Sequence, residues 1–482
     1  MRAVWATLGS SGSGRIRKGG ANAGGVAQKE VEGGGERVGM ELIRRYRKER
    51  RNILERVRDE RKEVRVESAA RWAVRYAVCV CSASMLVLNG HLAHHVAHGY
   101  GVWAVVTAVN CSERTQGGML RKSFERALGT IVGCTAAIGV LYVDDFIVPE
   151  AYGWNLRASF LYMCVLTFTA ATVYLRSTNK RENFDYFYLL ATLSFDYLLL
   201  SAFADADVNE EPLHRIYMVA LGGFLTMLTS IFVFPTYSGD ELRSTCATNL
   251  DRAATMVEEI GIGAIEVYRG EAKVDEHENS ILRQEYKAIM SSAPFEASMI
   301  NLARFDMRSF GNLGWGREGW SGWRLSVNMP WERYRDLGEG IRSLACACYT
   351  IGMLLEKSAA NGGLHMEGFD YEVELLSFTR LVSQALLQLA SIVSGNSEKS
   401  AKDLQIMIVL ERGKRLRERA YNAAQSKESG STNAAFNSST LMTLLLALED
   451  NLTDIYEAVV ELELAGFFDM KPGPFAVLSG PR

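Results

Sequence analysis

The chain has 482 residues, 48% hydrophobic and 23% charged, with a formal net charge of −3. Mean hydropathy is near zero, which masks a division into an apolar first half and an amphipathic second half. The eight cysteines include no paired C-x-x-C set, which argues against a zinc site or a disulfide framework.

Residues 1–37 are rich in Gly, Ala and Ser and cannot build a core, so they are expected to form a disordered N-terminal extension. Residues 38–70 follow as a basic juxtamembrane helix. There Arg44, Arg45, Arg47, Lys48, Arg50 and Arg51 alternate with Glu49, Glu55, Glu60 and Glu63 at helical spacing. That helix suits the cytosolic leaflet of a lipid bilayer, and nucleic acid is not an expected partner.

Six apolar segments then occupy 71–238, at about 72–90, 101–111, 127–143, 158–175, 184–203 and 216–234. A hydrocarbon core of roughly 30 Å needs about 20 helical residues, so the second segment is too short alone. It either continues to Leu120 or is a broken helix covered by its neighbours. The loops alternate in charge. The loop after the first span has no Lys or Arg, and the next holds Arg114, Arg121, Lys122 and Arg126. The third holds Asp144, Asp145 and Glu150, the fourth Arg176, Lys180 and Arg181, and the fifth Asp205, Asp207, Glu210 and Glu211. Basic loops retained on the cytosolic side put both termini inside.

From 239 to 482 the pattern predicts a cytosolic α-helical domain, with amphipathic helices at 240–270, 279–306, 331–357, 371–394, 402–426 and 438–465. A Gly/Trp-rich loop at 311–323 interrupts it, and 425–439 is expected to be disordered. The fold class is therefore an all-α membrane protein, six transmembrane helices followed by a cytosolic helical domain.

Several motifs are similar to those of the aluminium-activated malate transporter family. Trp103-Ala104-Val105 with Thr107, then Ser112-Glu113-Arg114-Thr115, then Glu125-Arg126-Ala127-Leu128-Gly129-Thr130 resemble its second span and following loop. Phe234-Pro235 followed by Gly239-Asp240-Glu241-Leu242 resembles its close of the sixth span, and Pro330-Trp331-Glu332-Arg333-Tyr334 its Pro-Trp-x-x-Tyr. Arg75 falls where the family carries a basic residue. The likeness covers 71–242 well and the second half thinly. Arg114 replaces a Phe, Asp196 places a carboxylate inside the fifth span, and the family's Trp-Glu-Pro triplet is not present in that form. The chain thus resembles a divergent member, related to the fusaric acid resistance-like membrane proteins. The resemblance implies six spans, a helical cytosolic domain, a homodimer, and malate or other organic anions as the partners carried; aluminium sensing is not implied. No cofactor is expected, and the expected location is a plasma or vacuolar membrane.

Anion conduction needs cations at membrane depth, because rings of Arg or Lys favour anions and exclude cations. Arg75, Lys122, Arg126, Arg157, Arg176, Lys180 and Arg215 are the candidates for an anion pathway. Snorkelling to the interface is the competing fate of those bordering spans. Asp196 and Glu113 are candidates for a gate or a structural ion pair, Asp196 with Arg75 or Arg215, and Glu113 with Arg126. His91, His94, His95 and His98 share a face if helical, a weak signal for metal against a plain polar helix end. No phosphate loop, nucleophile motif or acid pair points to an enzyme. The expected function is an organic-anion channel for malate-like carboxylates and inorganic anions. The alternatives are a proton-coupled organic-acid exporter and a non-transporting membrane-anchored scaffold.

Overall fold

A computed structural model of the chain describes residues 63, 66–95, 100–147, 154–178, 184–203, 210–268, 276–306, 331–360, 372–395, 401, 406–426 and 432–464. The chain divides into two compact units, 1–71 and 72–482. In the first, the described residues are helical and Arg71 pairs with Glu67. The disordered extension of 1–37 and nearly all of the juxtamembrane helix of 38–70 lie outside the described residues, as does the 311–323 loop.

The described residues contain helices and no strand. In chain order they are α1 (Val66–Leu88), α2 (Gly90–His95), α3 (Val102–Cys111), α4 (Gln116–Ile147), α5 (Trp154–Thr178), α6 (Asp185–Phe203) and α7 (Glu210–Phe232). There follow α8 (Ser238–Tyr268), α9 (Glu276–Ser291), α10 (Ala293–Ala303), α11 (Arg333–Ala360), α12 (Glu372–Val393), α13 (Ile406–Ser426) and α14 (Thr432–Leu464).

Among the described residues six helices are long and apolar enough to cross a membrane: α1, α4, α5, α6, α7 and α12. Five coincide with expected spans. The expected second span is α3, which has only ten residues and is a short apolar helix inside the bundle. The sixth by length and composition is α12, from the second half. It differs from the others in where its apolar surface goes. Over half of its most apolar window (56%) is buried in the protein, against 11% for α5. A spanning helix keeps apolar surface for lipid, whereas α12 turns Leu375, Phe378, Val382, Leu386 and Leu389 into a protein core.

The first half carries small interior clusters, the largest around Cys134, Ala137, Leu141, Leu161, Phe195, Leu198 and Leu199. Its outside is apolar instead: Leu88, Tyr142, Phe146, Val173, Leu200 and Phe232 are all exposed. Such a surface is stable only where hydrocarbon replaces water. Close helix approach then substitutes for a hydrophobic drive. Gly129 and Gly133 on α4 let the backbone of α6 come near; a Cβ on Gly129 would sit 2.7 Å from the Phe187 carbonyl, and one on Gly133 would strike the Ala191 carbonyl.

The second half has one extended core, running from Leu242 on α8 to Leu462 on α14, with Trp331 and Tyr334 fully buried in it. Within it Glu296 accepts hydrogen bonds from Asn249 Nδ2 (2.8 Å), Ser292 Oγ (2.7 Å) and Arg342 Nη1 (2.5 Å), joining α8, α10 and α11. The helix expected over 279–306 is two, α9 and α10, meeting at Ser292. Pro294 has no N–H to give the Met290 carbonyl, so the ladder breaks there. Residues 432–439, expected to be disordered, are helical as the start of α14.

Thiols in this core are shielded. Burial pushes the Cys348 thiol up to about 12, and burial with Glu296 nearby also raises Cys246. Near pH 8 the Cys348 thiolate, which is the reactive form, is therefore scarce. Cys348 and Cys246 should therefore stay unlabelled by maleimide while the partly exposed Cys346 reacts. Mass spectrometry of the labelled peptides reads this directly, and denaturant should abolish the difference.

Candidate functional site

The short helix α3 lies against α4 and α7. Its sequence, Val-Trp-Ala-Val-Val-Thr-Ala-Val-Asn-Cys, places small residues Ala104, Ala108 and Cys111 at helical spacing, and all three are buried. The same helix presents Trp103 and Thr107 one turn apart, and each meets an arginine from another helix.

Arg126, on α4, is buried. It donates through Nε to Thr107 Oγ1 (2.9 Å) and through Nη1 to the Tyr186 hydroxyl on α6 (3.1 Å). Both partners are neutral, and Arg126 makes no ion pair among the described residues. Arg215, near the start of α7, lies with its guanidinium 3.9 Å from the Trp103 ring centroid and 4.4 Å from that of Tyr197 on α6. These rings meet edge to face at 5.1 Å, and Tyr100 stacks on His214 beside them. Four residues of helix rise about 6 Å, so the partners of the two guanidiniums stand that far apart along α3. Two buried cations thus meet α3 from candidate spanning helices, one held by hydroxyls and one by aromatic faces.

The other expected cations sit in different settings. Arg75, on α1, is buried and fully engaged. Its Nη1 donates to the Phe234 carbonyl (3.3 Å) and Thr236 Oγ1 (3.0 Å), and its Nη2 to the Glu113 carbonyl (2.9 Å) and the Arg114 carbonyl. It ties α1 to the α3–α4 turn and to the end of α7. Lys122 pairs with Glu113 and lies 6.0 Å from the Tyr186 ring centroid. Glu113 therefore meets Lys122, and Arg126 goes to the hydroxyls. Arg157 pairs with the buried Asp144 (2.7 Å), and Arg176 with the exposed Asp185 (3.3 Å). Lys180 lies outside the described residues.

Asp196, on α6, makes no ion pair among the described residues, and its Oδ1 is buried without a hydrogen-bond partner. Neither expected arginine partner is seen to pair with it. His91, His94 and His95 lie on α2, whose start is capped by Asn89 Oδ1 accepting from the His91 N–H (3.1 Å). His98 lies outside the described residues. No cluster of three or more His, Cys, Asp and Glu suited to a metal occurs among the described residues.

One residue absent from the expectations organises the base of the bundle. Asp306, fully buried after α10, accepts at Oδ1 from the Gly117 N–H (3.0 Å) and the Ser238 N–H (3.0 Å), and at Oδ2 from the Gly239 N–H (2.8 Å). One carboxylate thus caps the N-termini of α4, a span, and α8, the first helix of the second half. Nearby, Gln116 N–H donates to the Thr236 carbonyl (2.8 Å).

Comparison with known sequences decides the kinship. The family model described as aluminium activated malate transporter matches residues 64–363. The chain belongs to the aluminium-activated malate transporter family. Among the relatives, transporter 1 of Triticum aestivum is 25% identical over 277 residues, covering 56% of this chain and 56% of that protein. Transporter 14 of Arabidopsis thaliana is 25% identical over 318 residues, 65% of this chain and 52% of that protein. Transporter 2 of Arabidopsis thaliana is 26% identical over 277 residues, 56% and 52%. The chain spans about half the length of the curated relatives it matches. The family and the candidate spans together make it an integral membrane protein.

Of the residues around the arginines, Trp103 and Thr107 belong to a motif visible in the sequence, whereas Tyr186 and Tyr197 are distant in sequence and give no local signal. Asp306 gives none either.

Proposed function

We propose that this aluminium-activated malate transporter family member is an anion channel for malate-like carboxylates, and for small inorganic anions as well. The observation that carries this is Arg126: a buried guanidinium in a candidate spanning helix, hydrogen-bonded to the neutral hydroxyls of Thr107 and Tyr186. Its charge remains available to an anion. Arg215, about one turn along α3, supplies a second positive position, as a dicarboxylate needs. Arg75, Lys122, Arg157, Arg176 and Lys180 belong to this reading as outer positions that raise the local anion concentration rather than bind it. The names of the relatives, malate transporters of wheat and Arabidopsis, favour malate as the anion.

The rest of the reading follows. Helices α8–α14 form the cytosolic domain, both termini are cytosolic by the loop charges, and two copies assemble in a plasma or vacuolar membrane with lipid against the exposed apolar surface. Coupled export is the second reading, favoured by the unpaired Asp196 oxygen. Purified protein in liposomes separates the two. Malate uptake that follows an imposed voltage without saturating supports the channel; saturable uptake driven only by a pH gradient replaces it with the exporter; no uptake at all replaces both with the scaffold.

A further inference from the structure

We infer that Asp196 is a proton-binding site on a polar seam between α5 and α6, distinct from the two arginines that meet α3, and that protonation there raises anion flux; the second clause rests on the transport reading above.

The seam is fixed by three contacts between antiparallel helices. Thr172 Oγ1 meets Thr192 Oγ1 at 2.8 Å, the rings of Phe168 and Phe195 stack at 4.0 Å, and Arg176 pairs with Asp185 at 3.3 Å. This register sets depth. One turn beyond Thr192 on α6 is Asp196, and about one turn before Thr172 on α5 is Thr169, so the two stand at the same level. Both carry a buried oxygen with no hydrogen-bond partner, Asp196 Oδ1 and Thr169 Oγ1. A buried polar atom left unpaired loses its hydration without replacement. An ionised carboxylate at that depth adds the cost of a charge in hydrocarbon.

A proton on Asp196 removes that charge, and the acid and the Thr169 hydroxyl, each then donor and acceptor, can bond in either direction. The charged groups on the helices packed against α6 are otherwise engaged, and the remaining titratable groups are thiols and rings. On α4, Arg126 bonds Thr107 and Tyr186, Arg121 pairs with Glu125, Lys122 pairs with Glu113, Asp144 pairs with Arg157, and the buried Cys134 thiol packs in one cluster with Phe195 and Leu198. On α5, Arg157 goes to Asp144 and Arg176 to Asp185, and Cys164 is the remaining thiol on its buried side. On α7, Arg215 lies on Trp103 and Tyr197, and His214 stacks on Tyr100. On α3 the titratable group is Cys111, near the Arg126 end.

The functional consequence is electrostatic. Asp196 adjoins Tyr197, which carries the Arg215 guanidinium, so an ionised Asp196 repels the anion that Arg215 attracts. The neutral acid does not. Acidification should therefore open the path to anions.

The test reads the proton and the flux separately. The infrared spectrum of the full chain in lipid bilayers, titrated with pH, should show the carbonyl stretch of a protonated carboxylic acid, and Asp196→Asn should remove it. Anion current should rise with acidity in the wild type, stay high and pH-independent in Asp196→Asn, and keep its pH dependence with a displaced midpoint in Asp196→Glu. A carboxylic band that persists unchanged in both Asp196→Asn and Asp196→Glu overturns the site. A band that disappears in Asp196→Asn while no chain carries anion flux upholds the proton site and overturns the transport reading instead.

Discussion

Arg126→Ala is expected to reduce malate current at least tenfold while leaving the amount of protein at the membrane unchanged. The size follows from Coulomb's law. At an effective dielectric of about 20, a cation about 5 Å from a carboxylate lowers its energy by about 3 kcal/mol, and about 1.4 kcal/mol is tenfold. Screening removes part of this, so tenfold is the conservative figure. Arg126→Glu should go further and depress anion selectivity itself. Arg157 and Arg176 provide the contrast, because each already faces a carboxylate, Asp144 or Asp185. Their alanine variants should alter current by no more than about twofold, the scale of a screened peripheral charge. Thr107→Val separates charge from bracing. It deletes the hydroxyl that receives Arg126 Nε but keeps the guanidinium, and should reduce current less than Arg126→Ala does. Concentration dependence and reversal potential of the current check all of these.

Asp306→Ala is expected to have the largest effect on stability. The carboxylate receives three backbone N–H groups, two at the start of α8 and one at the start of α4. Each buried donor left without an acceptor costs about 1–3 kcal/mol. The lost negative charge at two helix N-termini adds about 0.3–1 kcal/mol apiece. The total, several kcal/mol, is comparable with the whole stability of many domains. Asp306→Asn keeps one carbonyl oxygen and should fall between alanine and the wild type. Thermal unfolding of the detergent-solubilised protein orders the three. Where the variants are folded, their reversal potentials should match the wild type, because Asp306 shapes the base of α4 and carries no anion. Arg75 joins the same region from the other side, through the Phe234, Glu113 and Arg114 carbonyls. Together they bind the end of α7 and the starts of α4 and α8 into one junction.

Much of this was legible in the residues. Alternation of basic and acidic loops marks the spans, and the amphipathic period marks the second-half helices to within a few positions. The shortness of α3 is written in the sequence, and so is the break at Pro294, which periodicity alone carried straight through. Composition misleads at α12, whose apolar window matches a span, because hydropathy does not distinguish surface facing lipid from surface facing a core. The site was legible in part. A basic residue in an apolar segment is visible, and so Arg75, Arg126 and Arg215 stand out. Their roles are not, because these depend on distant partners: Tyr186 for Arg126, Tyr197 for Arg215, and a carbonyl 159 residues away for Arg75. Asp306 is the extreme case. Capping is normally read from the residue just before a helix, but here the cap lies 189 residues after Gly117 of α4 and 68 after Ser238 of α8.

The most direct test is the reversal potential of whole-cell current from the expressed chain as cytosolic malate is exchanged for gluconate, chloride or nitrate. An anion path lined by Arg126 and Arg215 predicts a reversal potential that moves with the malate gradient, and loses that dependence in Arg126→Glu. A current that ignores the anion, or is absent with the protein shown to be at the surface, would contradict it.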